Sequence, residues 1–323
     1  TVGGVLIDTV GWRAVFWINL PICLLAFVLT AILVPESRSP IMRTLDPVGQ
    51  ALAMIALGGT VYGLIEGPGH GWGSTRTITV FVVAAAAFVG FLIWERRHED
   101  PFIDLRFFGS VPFASATVIA ICAFANWGGF LFLMSLYLQE DRGFSAVGTG
   151  AMLVPPALAV LICSPLSGRA VGRWGTRPSL VIAGIALLVS SSMMLFIDDA
   201  TPIPLLAFMF LIYGLGFGMI NAPITNSAVA GMPRHRAGAA SAVASTSRQI
   251  GVSLGVALAG SVTGLAAAHT AVDFSTAMTA MWWIVIAFSA AILVLGIMST
   301  TPWALRTASR VSQRLIEPEM ADA

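Results

Sequence analysis

Apolar residues fill nine stretches of the chain, at about 14–34, 48–66, 77–94, 111–138, 147–167, 178–197, 203–229, 238–267 and 277–298, with short polar segments between them. Hydrocarbon cannot satisfy backbone N–H and C=O groups, so a run of roughly 20 such residues has to be helical to cross a bilayer. The pattern predicts an all-α polytopic membrane protein with nine complete transmembrane helices. Ahead of the first run, Thr1-Val2-Gly3-Gly4-Val5-Leu6-Ile7-Asp8 is a short apolar piece with paired glycines and no loop before it. It has no initiator methionine, no basic n-region and no signal-peptide shape, and it reads as the tail of one more helix whose beginning lies upstream.

The polar positions give the orientation. The chain has 17 basic residues, all of them arginine. In the alternating topology Arg38, Arg43, Arg96, Arg97, Arg106, Arg169, Arg173, Arg177, Arg234, Arg236, Arg306, Arg310 and Arg314 fall on one side, and Arg13, Arg76 and Arg142 on the other. The positive-inside rule places the first set, and the C-terminus with it, on the cytoplasmic side of the plasma membrane. Composition agrees: 57% of the residues are hydrophobic and 10% charged, too little charge to clothe a soluble domain of 323 residues. Cys23, Cys122 and Cys163 each lie inside an apolar run, without metal-ligand spacing, and read as small hydrophobes. The histidines, His70, His98, His235 and His269, fall in or near loops, which argues against an intramembrane enzyme site.

The longest internal break runs from Glu95 to Ser110, where charged and apolar residues alternate through Phe102-Ile103-Asp104-Leu105-Arg106-Phe107-Phe108. It predicts a short amphipathic stretch on the cytoplasmic face and a boundary between bundles. Arg306, Arg310 and Arg314, at four-residue spacing after the last span, predict a surface helix touching anionic headgroups. Pro155-Pro156 and Pro165 predict kinks in the span 147–167. The pairs Gly59/Gly63, Gly214/Gly218, Gly251/Gly255 and Gly260/Gly264 suit close helix approach.

Polar groups deep in the spans are few. Arg248 lies about eleven residues into its helix, where a central arginine costs about 2.5–3.5 kcal/mol unless it faces protein or water. It either snorkels to the cytoplasm or faces a partner, and Ser241 and Ser245 share its helical face. Asn126 precedes Phe130, Leu133 and Tyr137 on one face, and Tyr213, Phe217 and Asn221 recur at four-residue intervals. Each asparagine fits an interhelical amide bond or a cavity wall. Between Gly168 and Arg177 the sequence reads as a loop, with glycines at 168, 172 and 175 for a tight turn and arginines 169, 173 and 177 for helix ends, acids or phosphates. No GxxxxGK[ST] motif occurs in these residues.

Four stretches carry a family likeness: Gly3-Gly4-Val5-Leu6 with Gly11-Trp12-Arg13-Ala14-Val15-Phe16-Trp17-Ile18-Asn19-Leu20-Pro21; Tyr137-Leu138-Gln139 with Gly143-Phe144-Ser145 and Gly148-Thr149-Gly150; Gly168-Arg169-Ala170-Val171-Gly172-Arg173-Trp174-Gly175-Thr176-Arg177; and Arg248-Gln249-Ile250-Gly251-Val252-Ser253-Leu254-Gly255. In this order they resemble the fourteen-helix drug:proton antiporters of the major facilitator superfamily.

The resemblance implies that the severed helix is the fifth and the nine spans are the sixth to fourteenth. Residues 1–46 would then end the N-terminal bundle, 47–110 hold two extra linking helices and the amphipathic loop, 111–300 form the C-terminal six-helix bundle, and 301–323 make the basic tail. It implies proton-coupled efflux of a hydrophobic or amphipathic small molecule by alternating access, with no cofactor beyond the proton gradient. The implied partners are the lipid bilayer, that substrate and the missing N-terminal half, with no nucleic acid.

By the same resemblance Asn126, Trp127, Phe130, Tyr137, Tyr213, Phe217 and Asn221 line the substrate cavity, where aromatic walls suit bulky apolar or cationic ligands. Arg248, Gln249, Gly3, Gly4, Gly168, Arg169, Arg173 and Arg177 serve conformational change and coupling. Gly172-Arg173 stands where the family's hinge signature commonly has Asp-Arg, leaving a latch or a plain positive-inside loop. No acidic residue lies deep in a complete span, so a proton carrier is expected upstream. A metabolite or nutrient transporter, or a receptor or scaffold that moves nothing, fits the same pattern.

Overall fold

A computed structural model describes residues 2–34, 46–98, 103–198, 200–230, 232, 237–267 and 274–321. Arg38, Arg43, Arg234, Arg236 and part of the 95–110 stretch lie outside the described residues, as does the side chain of Arg314. In chain order the helices are α1 (Val2–Thr9), α2 (Ala14–Trp17), α3 (Asn19–Leu33), α4 (Pro47–His70), α5 (Thr75–Arg97), α6 (Val111–Leu136) and α7 (Ala146–Met152). They continue as α8 (Val154–Trp174), α9 (Thr176–Met194), α10 (Ile203–Gly218), α11 (Asn221–Val229), α12 (Ala237–Ala267), α13 (Phe274–Met298) and α14 (Pro302–Ala321). No strand occurs among the described residues.

Eight helical segments among the described residues are long and apolar enough to cross a membrane, and each coincides with a predicted run. The remaining run, 238–267, is α12, whose first half carries Ser241, Ser245, Ser247, Arg248 and Gln249. The chain is a multi-pass membrane protein.

Prolines explain the interruptions. A proline has no N–H for the carbonyl four residues back. Pro21 follows the one-residue break between α2 and α3, and Pro155-Pro156 follow the break at Leu153 between α7 and α8, where the sequence predicts a kink. Pro165, in contrast, sits inside the continuous α8. The run 203–229, read from sequence as a single helix, divides at Met219–Ile220 because Pro223 cannot donate to the Met219 carbonyl. The buried Ser167 hydroxyl of α8 donates to that carbonyl instead, at 2.7 Å.

The expected loop at 168–177 is helix: α8 runs on to Trp174, and the turn into α9 is Gly175 alone, at φ +79°. Gly168 and Gly172 face open space. A single residue in the left-handed region suffices to reverse the chain, so their freedom is not used for a turn.

By contact clustering the chain forms two compact units. In the unit made of Thr1–Leu45 and Met134–Val154, α1 lies against α7. A Cβ on Gly4 would stand 2.5 Å from the Ala146 carbonyl oxygen, so this approach requires glycine, whereas Gly3 faces open space. Asp8 Oδ2 accepts from the Val147 N–H at 3.2 Å, and Ser145 Oγ from Gly148 N–H at 3.1 Å, so two oxygens satisfy donors in the first turn of α7. The α3 side chains are exposed along its length.

In the other unit, α4 and α5 form a hairpin turned at Gly71 (φ +84°), and α4 packs on α12. Asp46-Pro47 opens α4 as N-cap and first-turn proline, with Asp46 Oδ1 accepting from Gly49 N–H at 2.8 Å. Trp94 Nε1 donates to the same carboxylate at 3.0 Å, tying the end of α5 to the start of α4. Glu95, buried in the last turn of α5, accepts from Ile103 N–H at 3.0 Å.

The expected amphipathic stretch is a short 3-10 turn, Leu105–Gly109, that buries Phe107 and leaves Arg106 exposed. Asp104 holds Arg106 in a two-point pair, Nε to Oδ1 at 3.0 Å and Nη2 to Oδ2 at 2.9 Å, which raises the pKa of the guanidinium above its ordinary value. The tail helix α14 docks beside this turn. It buries Ala304, Ala308, Val311 and Leu315, at helical spacing, and Thr307 Oγ1 accepts from Val111 N–H at 2.9 Å.

Candidate functional site

The predicted aromatic and amide residues of α6 and α10 meet. Trp127 stacks on Phe217 with centroids 4.3 Å apart, and Phe130 stacks on Tyr213 at 4.1 Å. Trp127 also stacks on Tyr213 at 6.0 Å, joining the two pairs into one ladder, and Phe124 extends it edge-on to Phe217 at 5.1 Å. These residues recur every three or four positions along two facing helices, which is what brings their rings into register. Phe130 and Tyr213 are wholly buried, while Phe124 and Trp127 are half-buried.

Asn126 lies behind the ladder at 0% exposure, with its amide fully used. Its Oδ1 accepts from the Tyr213 hydroxyl in a short hydrogen bond, and its Nδ2 donates to Ser289 Oγ at 2.9 Å and to the Val285 carbonyl at 3.4 Å. Ser289 Oγ in turn donates to Val285 O at 2.8 Å. One asparagine thus ties α6 to α10 and α13, the interhelical role the sequence left open beside a cavity wall. Replacing Asn126 with leucine leaves the Tyr213 hydroxyl buried without its acceptor, at a cost of about 1–3 kcal/mol. Thermal unfolding of the purified chain in detergent should show a lower midpoint for Asn126→Leu, and adding Tyr213→Phe should recover part of the loss, since the orphaned hydroxyl is then gone.

Arg248 is half-buried on α12. Its Nη2 donates to Thr225 Oγ1 at 2.6 Å, and its guanidinium carbon sits 5.9 Å from the Phe124 ring centroid, within cation–π reach. Thr225 Oγ1 passes its own hydrogen to the Asn221 carbonyl at 3.2 Å, so the half-buried Asn221 joins Arg248 through one hydroxyl. The Arg248 Nε is buried with no hydrogen-bond partner among the described residues. The group therefore faces protein rather than snorkelling freely, with its buried Nε–H unpaired.

Gln249, next in sequence, points elsewhere: it is exposed and lines a groove against α4. Tyr137 belongs to the other unit, where its buried ring lies 5.9 Å under the Arg142 guanidinium and its hydroxyl accepts from Arg142 Nη1 at 2.9 Å. Arg169, Arg173 and Arg177 are all exposed, with no ion pair among the described residues, and Arg173 rests on its neighbour Trp174 at 5.4 Å.

Sequence reasoning missed Phe124, Thr225, Ser167 and Ser289. Thr225 had a signal, standing four residues after Asn221 on one helical face. The others are ordinary membrane-helix residues whose partners come from distant segments. It also missed the buried Asp46 and Glu95, although Asp-Pro before an apolar run marks a helix start.

The Major Facilitator Superfamily model matches residues 1–256. The Multidrug resistance protein Stp of Mycobacterium tuberculosis is 38% identical over 262 residues, covering 81% of this chain and 49% of that protein. The Tetracenomycin C resistance and export protein of Streptomyces glaucescens is 32% identical over 80% of this chain and 48% of its own length. The Puromycin resistance protein pur8 of Streptomyces alboniger is 32% identical over 91% and 60% respectively. The chain spans about half the length of the first two relatives. With its all-helical membrane architecture and a family match over most of its length, the chain belongs to the Major Facilitator Superfamily.

Proposed function

We propose that this chain supplies the C-terminal part of a secondary transporter that exports hydrophobic or amphipathic small molecules, coupled to the proton gradient. The observation that carries this reading is the aromatic ladder from Phe130 to Phe124 with Arg248 at its open end. Half-buried Trp127 and Phe124 offer flat apolar faces, and the half-buried Arg248 guanidinium beside Phe124 offers a positive charge to a neutral polar or anionic group on the same ligand. A permanent cation fits the aromatic faces but is repelled at the arginine end. The names of the relatives, which speak of multidrug resistance, tetracenomycin C export and puromycin resistance, favour export over uptake.

The arginine-rich side of the alternating topology supports a cytoplasmic C-terminus. The reading needs an N-terminal half to complete the cavity and to supply a proton-carrying carboxylate. In everted vesicles carrying the intact transporter, accumulation of a fluorescent amphipath is expected to stop when an uncoupler collapses the proton gradient. Accumulation that persists without the gradient would overturn proton coupling, and its absence from energised vesicles would overturn export.

A further inference from the structure

The turn that joins α4 to α5 is closed by side chains with no part in the aromatic ladder. Glu66 and His70 stand one helical turn apart at the end of α4, and Arg76 lies in the first turn of α5. Arg76 Nη1 lies 2.7 Å from His70 Nε2, its Nη2 donates to the Tyr62 hydroxyl, and its guanidinium carbon is 5.8 Å from the Tyr62 ring centroid. On the other edge of the imidazole, Nδ1 lies 3.2 Å from the Glu66 carbonyl oxygen and 3.3 Å from Glu66 Oε2. Trp72 packs the residues between the helices: it stacks on Phe81 with centroids 6.4 Å apart, and a Cβ on Gly67 would stand 2.8 Å from its ring.

These contacts fix where the imidazole carries its hydrogen. A guanidinium only donates hydrogen bonds and stays charged, so Nε2 has to be the acceptor and bears no hydrogen. The neutral ring therefore holds its hydrogen on Nδ1, where both neighbours are oxygens. A further proton can enter only at Nε2. It turns that acceptor into a donor and sets an imidazolium against a guanidinium, while the contact with the Glu66 carboxylate becomes an ion pair. Protonation thus breaks the link from α4 to α5 and strengthens the one within α4. The His70 and Glu66 side chains are 39% and 42% exposed, so the ring exchanges protons with the surrounding water. Among the described residues its ionisable surroundings are Glu66 of α4 and Arg76 of α5, with Tyr62 of α4 reached through Arg76; α12, which packs on α4, has no ionisable residue from Gln249 to Ala267.

We propose that His70 is a proton-operated switch on this clasp. Neutral, it holds Arg76 and closes the turn between α4 and α5; protonated, it releases Arg76 and pairs with Glu66 alone. The alternating topology puts the turn on the arginine-poor side of the membrane, so the switch responds to the pH on that side. It does not depend on what the transporter carries.

The test uses the chain in nanodiscs, with ¹⁵N-labelled histidine for NMR and with hydrogen exchange read by peptide mass spectrometry after correction for the intrinsic effect of pH. At about pH 8, where an imidazole is neutral, the His70 signal, assigned by its loss in His70→Gln, is expected to show a protonated Nδ1 and a bare Nε2. Between about pH 8 and pH 5, protection of the amides in 71–78 is expected to fall by about two- to tenfold, the worth of one hydrogen bond. His70→Gln, whose amide oxygen can accept from Arg76 at every pH, should keep the protection throughout, and His70→Lys, a fixed cation, should lack it throughout. Arg76→Gln should remove the pH response, since nothing is left for the proton to release. The opposite tautomer at His70, protection that does not change with pH in the wild type, or a response that survives in His70→Gln or Arg76→Gln would overturn the proposal.

Discussion

Gly255→Leu is expected to abolish the folded protein, not merely to weaken it. A Cβ at Gly255 would lie 2.0 Å from the Ala125 carbonyl oxygen, and one turn earlier a Cβ at Gly251 would lie 2.5 Å from the Ile121 oxygen. Both obstacles are backbone of α6, which cannot rotate aside as a side chain would. Overpacking typically costs about 1–3 kcal/mol where neighbours can yield, and more where they cannot. Here α12 would have to leave α6 over two turns, against a total stability of about 5–15 kcal/mol. Fluorescence-detected size exclusion should show loss of the monodisperse peak for Gly255→Leu and an intermediate loss for Gly255→Ala. Gly260→Leu should keep the peak, because the nearest atom there is the tip of Phe132 at 3.9 Å. Equal behaviour of the two leucine variants would refute this account of the interface.

For Arg248→Ala the expectation runs the other way: the protein is made in normal amounts, and the intact transporter loses drug accumulation in everted vesicles by about 10- to 100-fold, the worth of one charge-assisted hydrogen bond of roughly 1.5–3 kcal/mol. Arg248 is half-buried and contacts Thr225 and Phe124 at the edge of the ladder, so its removal opens no core. Arg248→Lys keeps the charge but not the planar fork, and should recover only part of the activity. If Arg248→Ala transports like the wild type, the arginine has no part in ligand binding or coupling.

The two substitutions show where the sequence is legible. The spans could be placed from hydropathy because lipid imposes a single condition, and every described span falls on its predicted run. The glycine pair 251/255 was visible as spacing, yet nothing in the sequence said that it meets α6. Interruptions depended on prolines. Those at 155 and 156 announced the break at Leu153, while Pro223 was passed over because Met219–Ile220 lies inside an unbroken apolar run.

The same limit applies to the site. Asn126, Trp127, Phe130, Tyr213 and Phe217 could be grouped by helical periodicity, since each helix displays its own face in its own sequence. That Asn126 is saturated by Tyr213, Ser289 and Val285, from segments some 87 to 163 residues away, could not be read before the helices were assembled. Arg248 and Gln249 are adjacent in sequence and were grouped together. Neighbours on a helix point about 100° apart, and these two serve different faces.

The joint at Met219–Ile220 works as a knee held by a splint from outside the limb. Since the carbonyl that Pro223 leaves stray is tied by a hydroxyl on another helix, the joint made by the local chain is also fastened to α8. The lower shank carries Thr225, and through it one anchor of the Arg248 guanidinium. A slide of α8 along its axis would therefore be felt at that guanidinium without any residue near it being touched.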